Sequence, residues 1–160
     1  MKKPFSLSKS ERIKSKKAIE TLFQSGEAFF SFPYRIVYKA TMTAEANHPM
    51  LPPSALQMAV SVPKRFFKRA HDRNRIKRLT REAYRLQKPT LAEISRQQGK
   101  TLQLMLVYQG KTLPDFTTCF KAVEKIIQVL LKKEFGFPPE DKENKPSSKT
   151  KQSNEFPENL

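Results

Sequence analysis

Cysteine is nearly absent: Cys119 stands alone among 160 residues, which excludes an internal disulfide and suits a reducing, cytoplasmic setting. With only two histidines, His48 and His71, set well apart, no zinc set can be assembled. Acids are scarce as well, 15 against 31 Lys and Arg. The ten that precede residue 137 are scattered from Glu11 to Glu134 with no ligand spacing among them. A protein nuclease needs clustered carboxylates for metal ions or a positioned acid–base pair, so no catalytic residue and no metal ligand is assigned. His71 beside Asp72 reads as a residue at a helix start, and His48 as an exposed residue in a proline-rich loop. Long apolar runs are missing too, which argues against a membrane span. The basic residues after Met1 are followed by no apolar core, so the amino terminus is not read as a secretory signal.

What the chain has is positive charge. The net charge is +16; residues 136–160 hold four Lys and five acids, so the part before them carries +17. Such a charge calls for a polyanionic partner, RNA, DNA or an acidic membrane surface. The stretch from Lys64 to Lys88 holds eleven Lys or Arg against Asp72 and Glu82. Within it Ile76, Leu79, Ala83 and Leu86 are spaced 3, 4 and 3, as on one face of a helix beginning near Ala70. Arg73, Asn74, Lys77, Arg78, Arg81 and Arg85 are expected on the opposite side. A merely solvated face usually alternates sign and pairs its charges, but here only Glu82 is placed to reach Arg78 or Arg85. The six arginines from Arg69 to Arg85 favour forked hydrogen bonds to phosphate. The helix has no bulky aromatic face to enter a bilayer, so nucleic acid is the expected partner.

The remaining elements follow from periodicity and punctuation. Ser8 and Glu11 form a capping box, from which a helix is expected through about Gln24 to a stop at Gly26. Its buried side would use Ala18, Ile19, Leu22 and Phe23, with Ile13 off the stripe. Residues 2–17 hold seven cations and one acid, a second basic surface. A strand over 32–41 places Tyr34, Ile36 and Tyr38 on one face and Arg35, Val37 and Lys39 on the other. A loop with three prolines, Thr43 to Pro53, leads to a strand from Leu56 to Val62. The basic helix follows and is expected to end at Pro89, with a short helix over 90–98 after it. A third strand covers Leu102 to Tyr108. A last helix starts near Asp115, buries Phe116, Phe120, Val123, Ile127 and Leu130, and stops at Gly136 and Pro138-Pro139. The order α-β-β-α-β-α implies an α/β sandwich with a small sheet backed by helices. One domain over 1–136 and a polar, disordered tail over 137–160 are expected.

The run Ala70-His71-Asp72-Arg73-Asn74-Arg75-Ile76-Lys77-Arg78-Leu79-Thr80-Arg81-Glu82-Ala83 resembles the signature of the bacterial ribonuclease P protein subunit family. Ser61-Val62-Pro63-Lys64 stands where that family ends a strand, and the resemblance covers about residues 5–135. It implies a left-handed crossover through the basic helix and a protein that assists a catalytic RNA subunit. By the same resemblance Lys64, Arg65, Arg73, Asn74, Arg75, Lys77, Arg78 and Arg81 would contact that RNA. An aromatic cleft between the first helix and the sheet would take the single-stranded 5′ leader of precursor tRNA, with Ile19, Phe23 and Tyr38 at the matching positions. Ile19 departs from an aromatic common there, and Phe23 is equally readable as a core residue. Mg²⁺ would be bound mainly by RNA. The rival readings are a ribosomal or other structural RNA-binding protein, then a DNA-binding regulator, then a protein-only nuclease.

Overall fold

A computed structural model describes residues 7–42 and 56–136. The loop expected over 43–53, with His48, and the tail over 137–160, with its domain boundary and Pro138-Pro139, lie outside the described residues. The chain runs through a 3-10 turn (Lys9–Glu11), α1 (Lys16–Ser25), β1 (Glu27–Ser31), β2 (Tyr34–Met42), β3 (Leu56–Ser61), α2 (Ala70–Gln97), β4 (Lys100–Tyr108) and α3 (Phe116–Phe135). The strands form one sheet in the order β1-β2-β4-β3. β1 and β2 make an antiparallel hairpin turning at Phe32-Pro33, a cis peptide, and β2 pairs antiparallel with β4. β3 lies parallel to β4, and α2 connects them.

Strand alternation divides the apolar residues between the two sheet faces. Tyr34, Ile36 and Tyr38 of β2, Met58 and Val60 of β3, and Leu104 and Leu106 of β4 bury against α2 and α3. Each such side chain contributes about 1.5–3 kcal/mol by leaving water. The other face carries Val37, Ala59 and Met105, covered by Ile13, Ala18, Ile19 and Leu22. Three layers result, with two helices on one side of the sheet and α1 on the other.

Four local expectations are corrected. The capping interaction forms, with the Ser8 N–H donating to the Glu11 carboxylate at 2.7 Å, but it closes only the 3-10 turn. Arg12 then turns extended and the Ile13 N–H donates to the Met58 carbonyl at 3.0 Å, because burying Ile13 on the sheet takes the chain out of the helix. The helix restarts behind a new cap, Ser15, whose hydroxyl accepts from the Ala18 N–H. β1 adds a strand to the expected order. Its Ala28-Phe29-Phe30 core is continuous rather than alternating in polarity, and Pro33 follows closely. α2 does not end at Pro89 but runs on to Gln97. Lys88, Leu91 and Ser95 continue the buried stripe of Ile76, Thr80, Ala83 and Tyr84, so packing outweighs the roughly 3 kcal/mol that an interior proline costs a free helix. Phe116, expected in the core, is 37% exposed; Cys119, Ala122 and Ile126 join Val123, Ile127 and Leu130 as the buried stripe of α3. Asp115 caps that helix by accepting from the Thr118 N–H at 2.8 Å, and Gly136 ends it at a φ of 67°.

Candidate nucleic-acid interface

The buried stripe of α2 determines which cations face out. It is rotated from the expected one: Thr80 replaces Leu86, which is exposed. Thr80 tolerates burial because its hydroxyl donates to the Ile76 carbonyl and pairs with the Tyr34 hydroxyl at 2.7 Å. With that rotation Asn74, Arg75 and Arg78 stand exposed, and Lys77 and Arg81 are half-buried. Arg73, expected opposite the apolar stripe, instead turns back on the chain. Its guanidinium donates to the carbonyls of Phe67 and Lys68, both at 2.8 Å, tying the β3–α2 connection to the helix start. Lys64 and Arg65 are exposed in that connection, Arg65 lying over the Phe66 ring at 4.6 Å from its centroid.

The N-terminal turn brings a further cation beside this helix. Leu7 and Arg12 join Asn74, Arg78, Arg81, Glu82 and Arg85 around a groove of roughly 400 Å³. Glu82 binds Arg85 through both of its oxygens, at 2.9 and 2.5 Å. That hydrogen bonding lowers the pKa of Glu82 and raises that of Arg85. Arg12, Arg78 and Arg81 have no carboxylate in ion-pair range among the described residues. Partial burial, and next the Arg12 cation, lower the pKa of Arg81. A phosphate placed in the groove would relieve that repulsion. Arg12 was not singled out from the sequence, although the basic run over 2–17 carried its signal.

The turn is held there by Glu11, which pairs with the buried Lys88 of α2 at 2.5 Å. Burial raises the Glu11 pKa, but hydrogen bonds from Lys88 and Ser8 and the attraction of Lys88 outweigh it, and the carboxyl ends below its ordinary value. Lys88, counted in the basic stretch, is therefore part of the fold rather than of the cationic surface.

The three residues assigned to a leader cleft are not brought together. Ile19 lies half-buried in the seam between α1 and the sheet, and Phe23 on α1 is 45% exposed. Tyr38 belongs to the opposite face: it is 1% exposed, its hydroxyl donates to Glu27 at 2.7 Å, and Phe29 packs edge-on against its ring. Burial, then the Glu27 bond, push its phenol pKa up. The strand parity that separates Tyr38 from Val37 removes Tyr38 from any cleft under α1, where Val37 stands instead. Two aromatics not assigned from the sequence, Phe30 and Phe32, are exposed at 59% and 72%. Cys119 is buried and burial raises its thiol pKa, which makes it an inert core residue. Among the described residues no three His, Cys, Asp or Glu side chains come together as metal ligands, and no helix is long and apolar enough to cross a membrane.

A family model described as Ribonuclease P matches residues 7–131. The chain is 42% identical over 123 residues to the ribonuclease P protein component of Porphyromonas gingivalis, covering 76% of this chain and 83% of that one. To the same component of Chlorobaculum tepidum it is 32% identical over 133 residues, covering 82% and 84%. The fold is similar to that of the Staphylococcus aureus RNase P protein, with a TM-score of 0.56 at 16% identity over 74% of this chain and 94% of that chain. The RNase P protein of Thermotoga maritima gives a TM-score of 0.53 at 17% identity, covering 73% and 94%.

Proposed function

The chain belongs to the ribonuclease P protein family, and from that premise we propose that it binds the catalytic RNA through the cationic groove and the 5′ leader through the sheet face under α1. Its role is in tRNA processing, as part of an RNA-processing enzyme with an RNA partner. In the finer reading, Arg78, Arg81 and Asn74 of α2, with Arg12 opposite, receive phosphates of the catalytic RNA. Lys64, Arg65, Arg75 and Lys77 extend the positive surface around them. Arg73 acts by holding the β3–α2 connection that carries Lys64 and Arg65. Neutralising phosphates this way lets two polyanions, catalytic RNA and precursor tRNA, approach each other.

The observation that carries the reading is a groove whose one acid, Glu82, is taken by Arg85, leaving Arg12, Arg78 and Arg81 with no carboxylate in ion-pair range among the described residues. Such an arrangement stores repulsion until an anion arrives. Mg²⁺ would be held mainly by the RNA, where it would supply the activated water that frees the mature 5′ end. A cytoplasmic place of action follows from the substrate. The test is cleavage of precursor tRNA by a bacterial catalytic RNA at low Mg²⁺, with and without this protein. Cleavage should rise when the protein is added, and the protein alone should not cut. Cutting by protein freed of RNA would overturn the assignment.

A further inference from the structure

We propose that Phe30 and Phe32, on the outer edge of the sheet, form a stacking platform for bases of a single-stranded RNA, extending the leader path beyond α1. The inference rests on the leader-binding reading above. Phe29 turns into the core against Tyr38, so alternation sends Phe30 to the face that α1 partly covers. The Phe30 and Phe32 ring centroids are 6.5 Å apart and the planes are tilted by 60°, so the two rings do not stack face to face, and both side chains stay exposed.

The register places Phe30 on a continuous row, with Phe32 in the turn beyond its strand. Phe30 is opposite Arg35, Arg35 opposite Val107, and Val107 opposite Ser61. Ser61 is three residues from Lys64 and four from Arg65, the entry to the cationic surface. In the next row Val37, Met105 and Ala59 lie at the α1 seam, with Val37 and Met105 buried there, and Ala28 at its end is exposed. The outer row keeps Phe30 and Arg35 exposed, has Val107 packed at the edge of the α1 seam, holds no acid, and runs from Phe30 toward the cations. Aromatic platforms flanked by cations are how proteins hold single strands without strong sequence preference. A net charge of +16 disfavours a second copy of the chain as the occupant and favours a polyanion.

The experiment uses holoenzyme reconstituted with a bacterial catalytic RNA. Its substrates are precursor tRNA with a leader of about ten nucleotides, within the span such platforms cover, the same leader carrying abasic sites, and mature tRNA. Replacing both residues (Phe30→Ala with Phe32→Ala) should weaken leader-bearing substrate on the order of tenfold and leave mature tRNA unchanged. Abasic sites should produce a similar loss with the unaltered protein and little further loss with the double variant. Phe30→Tyr with Phe32→Tyr should restore binding. The abasic comparison on unaltered protein stands even if the alanine variant folds poorly. Equal binding of leader substrate by variant and parent overturns the platform, as does a change confined to self-association in sedimentation. If unaltered holoenzyme does not distinguish leader-bearing from mature tRNA, the leader reading itself falls, and the platform with it.

Discussion

The two faces of the sheet are built from the same strands and have opposite fates. On the side of α2 and α3, Tyr34, Ile36, Tyr38, Leu104 and Leu106 are closed from water. On the side of α1, only Val37 and Met105 of the sheet are fully covered, Ala59 and Val107 are partly covered, and Phe30 and Arg35, like Phe23 on α1, stay exposed. One helix of ten residues cannot shield a face that two helices of 28 and 20 residues shield on the other side. Coverage, more than residue type, separates the closed face from the open one here. An aromatic on β2 stabilises the fold, while an aromatic one strand over and on the other parity is left exposed to solvent.

The strongest way to break this contrast is to remove one aromatic from each face. Tyr38→Ala should destabilise the protein by about 3–5 kcal/mol, the range for truncating a buried aromatic. Phe30→Ala should stay within about 0.5 kcal/mol, as exposed changes do. Urea unfolding of the two variants decides the matter. Similar losses would mean that the two faces are equally closed.

Much of this contrast was legible in the residues. The alternation of Tyr34, Ile36 and Tyr38 against Arg35, Val37 and Lys39 correctly separates the faces of β2. What alternation leaves open is which face receives which helix, and the resemblance that placed Tyr38 beside Ile19 and Phe23 could not show that Tyr38 faces away from α1. The cationic character of α2 was equally plain, but its rotation was not. Thr80 is buried through a bond to Tyr34, a residue 46 positions away, and no local pattern signals it. Pro89 shows the same limit, since a helix stop valid for an isolated segment yields to packing on both sides of it. Arg12 was visible as charge and hidden as geometry, because the Glu11–Lys88 pair that seats it spans 77 residues.

That pair gives the next prediction, at the edge where the two faces meet. The N-terminal turn crosses the outer strand β3: the Gln57 amide donates to the Ser10 carbonyl, while Glu11 reaches Lys88 on α2. Glu11→Gln should cost about 2–4 kcal/mol, slightly under the range for breaking a fully enclosed pair, because Glu11 keeps 17% side-chain exposure. Glu11 has a lowered pKa in the folded protein, so its contribution is complete above the unfolded value of about 4.3 and is lost as pH falls through the lower folded value. The gap between parent and variant in urea should therefore close below about pH 4.3. A gap independent of pH would remove the charge from the explanation.

A smaller effect separates two arginines of one helix. Arg73→Ala should lower stability by about 1–2 kcal/mol, since it strips two carbonyls of a charged donor. Arg78→Ala should leave stability within about 0.5 kcal/mol, because Arg78 is exposed and has no intramolecular partner among the described residues. Both should weaken binding to the catalytic RNA, but only the Arg73 loss should track with melting temperature. If Arg78→Ala melts as early as Arg73→Ala, the division between a cation that holds the fold and one that meets RNA fails.

The smallest effect belongs to Arg12, and it tests whether the groove works as one anion site. Arg12 lies on the N-terminal turn, and the one hydrogen bond of its guanidinium among the described residues is a long one, 3.5 Å, to the Leu7 carbonyl. Arg12→Ala should barely change the melting temperature. If Arg12 shares a phosphate with Arg78 and Arg81, its loss should flatten the plot of log affinity against log salt by about one unit. Between 50 and 200 mM salt that amounts to about 3–4-fold less decline in affinity for the catalytic RNA. Removing Arg12 also lifts the repulsion on Arg81, so the unliganded protein gains slightly while the complex loses. Arg12→Lys keeps the charge without the fork and should retain the slope while losing part of the affinity. An unchanged slope in Arg12→Ala would leave the phosphate contacts to α2 alone and make the N-terminal turn only a wall of the groove.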